Sequence, residues 1–285
     1  MPELPEVETI VQALKSGGRG GRPLLGLTVD EVSLLWPRSL AEPMESLELQ
    51  RLKGQCLLDI KRRGKFIQFD FDDDLLLFHL RMSGDMRVAN SLDDPEDRIS
   101  LQKHDRFVIY FNQSTSLFFN DTRKFGRIWL VKTADQVTGK LGPEPLDESL
   151  GPMQFHEKLQ ASHRQIKPLL LDQTFLAGLG NIYTDESLHQ AGIHPMRRSS
   201  DLTLQQAGRL LEAIRSVLSE GIRRNGASID WIYRGGDFQN YFKVYQRTGE
   251  KCFNCGQPIQ RILVGQRGTH FCPHCQPVPG NENLT

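Results

Sequence analysis

The sequence predicts a multidomain α+β protein: an N-terminal half of antiparallel strands forming a sandwich or barrel and flanked by a helix, then a helical region, then a C-terminal hairpin rich in cysteine. Three observations carry this. Between about Gly26 and Leu130, short apolar or alternating runs are separated by aspartate and glycine turns. From Phe155 to Ile222 the apolar residues adopt the i, i+3, i+4 spacing of helices. Near the C-terminus, four cysteines form two Cys-x-x-Cys pairs, Cys252/Cys255 and Cys272/Cys275, with sixteen residues between them. A chain of 285 residues lies at the top of the single-domain range and fits two or three smaller units better than one core.

Each element follows from its own pattern. Pro5 to Lys15 puts Val7, Ile10, Val11 and Leu14 on one helical face; Pro5 and Glu6 suit its first turn, and Gly17, Gly18, Gly20 and Gly21 end it. The strand candidates are Phe66–Phe71, Leu75–Leu80, Phe107–Phe111, Leu117–Phe119 and Ile128–Val131. Helical periodicity marks Phe155–Leu171, Ile182–Gln190 and Leu202–Ile222. Ala177-Gly-Leu-Gly-Asn181 joins two helices and follows no strand, which argues against a dinucleotide-binding loop; free backbone N–H groups at a helix start suit a phosphate better. Residues 223–242 read as a glycine-rich polar linker.

Two Cys-x-x-Cys knuckles at this separation, in a chain whose first ten residues lack the basic start of a secretory signal, predict one tetrahedral zinc site rather than disulfides. Each knuckle sets two sulfurs on one turn, and the connecting segment is long enough for a hairpin that brings the second turn opposite the first. Gly256 and Gly265 supply turns, and Ile259, Ile262 and Val264 suit a strand. Redox chemistry and an iron–sulfur site are the alternatives that the hairpin disfavours. Four thiolates around a divalent cation leave a charge of about −2, which Lys251, Arg261 and Arg267 can offset. Cys56, alone in sequence, is expected to be a small buried hydrophobe.

Composition excludes whole classes. With 38% hydrophobic and 25% charged residues and a mean hydropathy of −0.42, the chain is neither disordered nor fibrous. No apolar run approaches the roughly 18 residues a membrane crossing needs, so a cytoplasmic protein with no membrane partner is expected. The zero net charge hides an asymmetry: residues 1–150 hold 20 Lys and Arg against 24 Asp and Glu (−4), and residues 151–285 hold 15 against 11 (+4). Ordinary scatter and a polyanion-binding C-terminal half both fit that difference.

The amino terminus carries candidate chemistry. Removal of Met1 before the small Pro2 would expose a secondary amine that titrates near about 8, a nucleophile at neutral pH, with Glu3 beside it as a general acid. Taken alone, Pro and Glu at this place are also ordinary signals of a helix start.

Seven motifs in order decide between these. MPELPEVET at the start, Arg62-Arg-Gly-Lys65, the HLRMSG run from His79, Asn120-Asp-Thr-Arg-Lys-Phe-Gly126, LGPEPL from Leu141, IKPLLLDQTFLAGLGNIYTDESL from Ile166 and the terminal cysteine finger together resemble the bacterial formamidopyrimidine-DNA glycosylase family over nearly the whole chain. The resemblance implies an N-terminal catalytic β-sandwich (1–131), a helix-two-turn-helix domain (132–228), a linker with the lesion loop (229–242) and a zinc finger with tail (243–285). It implies a monomeric, nucleoid-associated enzyme that binds duplex DNA containing oxidised bases or abasic sites. In such an enzyme Pro2 would attack C1′ of the damaged nucleotide, expel the base and form a Schiff base. Glu3 would protonate the opening sugar. Lys65 would act as proton donor and phosphate contact in β-elimination, and Arg267 would clamp phosphate and serve δ-elimination. His104, Arg123, Lys167 and Asn181 match DNA-contacting positions, with Arg164 and the adjacent His163 looser matches. Met82, Arg123 and Phe125 match the set that fills the space left by the flipped base.

The residues between Gly226 and Tyr241, ASIDWIYRGGDFQN, depart from the family's usual lesion-enclosing loop, which bears on lesion preference. Two other functions compete. One is an endonuclease VIII-type enzyme for oxidised pyrimidines, whose start carries glycine where this chain has Leu4. The other is a non-catalytic zinc-finger DNA-binding protein, which would not need Pro2, Glu3 and Lys65 together.

Overall fold

The computed structural model describes residues 1–41, 46–90, 101–228 and 235–278. The chain divides into two compact units, one formed by Met1–Lys140 and Ser228–Gly235, the other by Leu141–Ala227 and Gly236–Thr285.

The first unit opens with helix α1 (Leu4–Ser16), whose buried face is the expected Val7, Ile10, Val11 and Leu14. Two four-stranded antiparallel sheets follow. One has the order β1 (Val29–Leu34), β6 (Asp105–Phe111), β7 (Thr115–Asp121), β5 (Gly84–Asn90); the other β2 (Leu57–Arg63), β3 (Phe66–Phe71), β4 (Leu75–His79), β8 (Arg127–Val131). The inward residues of both sheets and the apolar stripe of α1 share one core, including Phe69, Phe78, Phe107 and Phe119, so the unit is a sandwich and not a barrel. Each such side chain contributes about 1.5–3 kcal/mol by leaving water. The strands β1, β2 and β5 were not singled out in the sequence, because their mixed burial, such as Val29 in and Asp30 out, dilutes the apolar signal. Cys56 is half-buried rather than buried.

After the short α2 (Asp135–Thr138), the second unit contains α3 (Pro152–Gln160), α4 (Ile166–Leu170), α5 (Asn181–Ala191) and α6 (Leu204–Arg223), then the hairpin β9 (Gln260–Val264) and β10 (Arg267–Phe271). The single helix expected over Phe155–Leu171 is two. Pro168 has no N–H with which to continue the ladder onto Arg164, so the chain breaks at 161–165 and restarts with Pro168 in the first turn of α4, where that N–H is not needed.

Helix α5 is buried along nearly all its length, polar residues included. Two adjacent carboxylates explain this. Glu186 accepts the backbone N–H groups of Lys243, Val244 and Tyr245 at 2.8, 3.0 and 2.8 Å. Asp185 accepts the backbone N–H of His270 at 2.8 Å and the Lys167 ammonium at 2.6 Å. Lys167 also donates to the Gly268 carbonyl at 3.1 Å. This corrects the expectation that Lys167 grips a phosphate: its side chain has no exposed surface, because α4 turns it inward onto α5 and β10. Replacing Lys167 with methionine leaves Asp185 buried without its counter-charge. The variant is expected to lose about 3–5 kcal/mol of stability in urea unfolding. Its DNA binding, measured under conditions where it is folded, should keep the wild-type salt slope, whereas losing a phosphate contact would flatten that slope by about 0.9.

Candidate functional site

Strand register gathers the first unit's candidates at one end of the sandwich. Phe66 opposes His79, His79 opposes Arg127, Gly84 opposes Asp121, and Asp105 opposes Asn120. The start of β3, the end of β4, the starts of β5, β6 and β8 and the end of β7 therefore lie together. The residues that cap these strand ends are Lys65, Met82, His104, Arg123 and Phe125. Helix α1 runs alongside β2, with Glu8 bonded to Arg62 at 2.8 Å and Lys15 to Asp59 at 2.6 Å. Seven residues of helix rise about 10.5 Å and three of strand about 10 Å, so extending both directs Pro2 and Glu3 toward the Gly64–Lys65 turn.

Pro2 and Glu3 are buried, and the Glu3 backbone N–H donates to Glu6 at 2.7 Å, fixing the entry to α1. Lys65 sits in a two-residue hairpin turn after Gly64, which has φ +57°, and is buried, which is unusual for a turn lysine. Nearby His79 packs edge to face on Phe66. Burial, with the positive charges of Arg81 and Lys65, lowers its pKa to about 3, and its Nδ1 accepts the Arg81 N–H at 3.0 Å. His79 is thus a neutral acceptor that starts the turn carrying Met82. The sequence showed it only as part of the HLRMSG run, and gave it no role.

Met82 is half-buried, while Arg123 and Phe125 are exposed, with the Arg123 guanidinium 5.0 Å from the Phe125 ring centre. Phe125 thus keeps 49% of its surface free, which separates it from the core. Lys124 lies 3.8 Å from the Trp36 ring centre. Asp121 and Ser83, also unassigned in the sequence, sit beneath both turns. His104 is half-buried, and its Nδ1 faces Arg106 at 3.1 Å. A guanidinium only donates, so Nδ1 is the acceptor in this contact, which leaves Nε2 as the ring's donor.

In the second unit, Arg267 is exposed at the start of β10, just after the Gly265–Gln266 turn. Asn181 begins α5 and donates to the Gly268 carbonyl at 3.0 Å, leaving its buried Oδ1 without a protein donor. Arg164 is half-exposed and bonded to Asp172 at 2.7 Å, which holds that carboxyl below the usual range. His163 is exposed, near Ser200. Residues 229–234 of the divergent loop lie outside the described residues; its return is held by the Phe238 N–H on the Gly226 carbonyl at 3.0 Å and by Tyr183 stacked on Phe238.

The sulfur atoms of Cys252, Cys255, Cys272 and Cys275 all lie within 4.8 Å of one another. Zn–S bonds of about 2.3 Å arranged tetrahedrally need sulfurs about 3.8 Å apart, so these four fit one structural zinc. Measured separations are 3.8 Å for Cys252–Cys275 and 3.4 Å for Cys255–Cys272. His189 of α5 places Nε2 3.6 Å from the Cys252 sulfur. A ligating thiolate has no proton, so the imidazole is the donor. No helix among the described residues is long and apolar enough to cross a membrane.

Residues 1–128 match the model of the formamidopyrimidine-DNA glycosylase N-terminal domain, residues 141–232 that of the formamidopyrimidine-DNA glycosylase H2TH domain, and residues 249–278 that of a zinc finger found in FPG and IleRS. A formamidopyrimidine-DNA glycosylase of Brevibacillus brevis is 42% identical over 285 residues, covering 97% of this chain and 99% of the relative. Among solved structures, MutM in complex with carbocyclic 8-oxo-G containing DNA is similar with a TM-score of 0.85 at 39% identity. Lactococcus lactis FPG with FAPY-dG containing DNA is similar with a TM-score of 0.85 at 38% identity. Each alignment covers 97% of this chain and 100% of the other.

Two outcomes are expected here. His79 stays unprotonated in the folded chain, while the unfolded imidazole takes up a proton below its ordinary 6.5. Stability present above that pH is therefore lost on acidification toward about 3, by up to about 1.4 kcal/mol per pH unit from this residue. Urea unfolding at pH 7.5 and 5.0 should show a smaller drop for His79→Gln than for wild type; equal drops would mean that the folded site accepts the proton. For the finger, His189→Phe keeps bulk but removes the donor. It should weaken zinc retention against a chelator by about 10- to 100-fold, with His189→Gln recovering part of the loss; unchanged release would exclude the N–H to sulfur bond.

Proposed function

Because the chain belongs to the formamidopyrimidine-DNA glycosylase family, we propose that Pro2, freed by removal of Met1, is the nucleophile with which it works on damaged duplex DNA. The protein is a DNA N-glycosylase for oxidised purines with AP lyase activity, and it carries one structural zinc. An enzyme for oxidised pyrimidines and a non-catalytic binder are both disfavoured by the relatives' names and by the full-length match.

The observation that supports the residue assignment is the convergence of five separated segments at one end of the sandwich: the N-terminus, the Lys65 turn, the Met82 turn, the His104 segment and the Arg123–Phe125 turn. The Pro2 amine attacks C1′, the C1′–N bond to the damaged base breaks, and an iminium forms between Pro2 and the sugar. Glu3, held at the entry to α1, delivers a proton to the opening sugar. Lys65, buried in its turn, contacts phosphate and transfers a proton during β-elimination, in which the 3′ phosphate leaves. Arg267, free on the finger hairpin, clamps phosphate for the δ step. Met82 and Phe125 fill the space vacated by the flipped base, offsetting an unstacking cost of a few kcal/mol, and Arg123 meets the orphaned partner base. His104, Arg164 and Asn181 hold backbone phosphates; Lys167, buried on Asp185, takes no part. The enzyme acts as a monomer at the bacterial nucleoid, since one chain carries every residue assigned here and duplex DNA is the substrate.

Borohydride reduction during reaction with an 8-oxoguanine duplex should yield a covalent protein–DNA adduct that mass spectrometry maps to residue 2. Pro2→Gly should retain partial trapping, and a variant that keeps Met1 should bind the lesion duplex but not trap. Full excision with Met1 in place would overturn the assignment of Pro2.

A further inference from the structure

The geometry points to Asp121 as a positioning residue that, through Ser83, fixes the Met82 turn and the Arg123–Phe125 turn to each other as one rigid wedge. This rests on the reading that those three side chains fill the vacated base space.

The two turns are distant in sequence but share one buried carboxylate. Asp121 is 1% exposed and Ser83 2%. One carboxylate oxygen, Oδ1, accepts the Ser83 hydroxyl and, at 3.2 Å, the Arg123 backbone N–H. The other, Oδ2, accepts the Gly126 N–H at 2.7 Å, so the carboxylate spans the turn from 123 to 126. Ser83 Oγ in turn accepts the Arg123 N–H at 2.9 Å. Ser83 follows Met82 directly, so one hydroxyl lies between the apolar filler and the backbone of the guanidinium residue. The backbone of Asp121 reaches a third DNA-facing segment: its N–H donates to the His104 carbonyl at 2.9 Å, and its carbonyl accepts Arg106 Nε at 2.8 Å.

Apolar packing repeats the pattern. The Phe119 ring lies under both turns: a Cβ on Gly84 would meet it at 2.8 Å and the Leu80 carbonyl at 2.6 Å, and a Cβ on Gly126 would also collide with it. Each turn also holds a non-glycine residue in the left-handed region, Arg81 at φ 54° and Lys124 at φ 61°. That conformation is disfavoured for residues with a Cβ and persists only where surrounding bonds impose it. Carboxylate, hydroxyl and ring together do so. A wedge built on two independently moving loops would have to order both as the base leaves; fixed to Asp121, Met82 and Phe125 arrive together.

The test is a mutant cycle on the full-length protein. Single-turnover excision from an 8-oxoguanine duplex is measured for Met82→Ala, Phe125→Ala and the double variant, in the wild-type and Ser83→Ala backgrounds. Opening of the stack is followed in parallel by 2-aminopurine fluorescence beside the lesion. With Ser83 present, the two alanine effects should be non-additive by about tenfold, the size of coupling found within one hydrogen-bonded network. In Ser83→Ala they should become additive, and stack opening should slow in protein that circular dichroism shows to be folded at the assay temperature. Asp121→Asn, which keeps one acceptor oxygen, should give the same loss of coupling and carries the test if Ser83→Ala fails to fold. Coupling that survives in these backgrounds, or additive effects in the wild type, overturns the inference and leaves the void-filling roles standing. Wild-type excision by both Met82→Ala and Phe125→Ala would instead remove the void-filling reading itself, and this inference with it.

Discussion

Buried carboxylates satisfied by main-chain N–H groups are the interaction on which both units depend. An ionised carboxyl inside a protein is tolerated only when its lone pairs are met, and charge-assisted bonds to backbone donors meet them without adding a flexible partner. Asp121 does this at the end of the sandwich, tying the turns around Ser83, Arg123 and Gly126. Asp185 and Glu186 do it on α5, holding His270 of the finger hairpin and the segment at Lys243–Tyr245. Because the acceptors lie on rigid elements and the donors on turns or crossing segments, each carboxylate turns a loop into a fixed shape.

That device accounts for where the chemistry sits. Antiparallel strands supply stiffness and alternate inside and outside, but their ends are where side chains are free to act. Neither sheet alone has all the residues: β3 leads from Lys65 and β8 from Phe125, while β5 leads from Met82 and β6 from His104. Only packing the two sheets face to face, with α1 alongside β2, brings these ends together. The buried, neutral His79 belongs to the same arrangement, since an imidazolium there would put a third positive charge beside Lys65 and Arg81.

The finger is held by chemistry of the same kind. The zinc sulfurs of Cys252 and Cys272 are buried, and α5 meets the site with an imidazole while its carboxylates hold the neighbouring backbone. Lys167 belongs to this seam rather than to a surface. A lysine there neutralises Asp185 and bonds the Gly268 carbonyl, which also accepts from Asn181, so the strand bearing Arg267 is located by two donors from the helical region.

The sequence alone was enough for whatever depends on local spacing. The stripe of α1 is legible because a helix repeats every 3.6 residues, and the zinc site because two Cys-x-x-Cys knuckles leave few other chemistries. The strands Phe66–Phe71 and Leu75–His79 are legible because inward residues are strongly apolar. The ordered motifs identified the family. Three features were not legible in the periodic pattern, two of them because they depend on the tertiary structure. Lys167 and Arg164 are both cations near the start of α4, yet one is wholly buried and the other half-exposed; which occurs is set by Asp185, eighteen residues on from Lys167. The break between α3 and α4 needed Pro168 weighed against a persistent apolar pattern. The roles of Ser83 and Asp121 were invisible because they act through partners distant in sequence, and a hydrogen bond between residues 38 apart leaves no periodic trace in the chain; that of His79 was invisible because its neutrality comes from burial in the folded sandwich. Local spacing fixes what a segment can become; only the assembled fold determines which polar groups meet, because desolvation and directional bonding act between elements rather than within them.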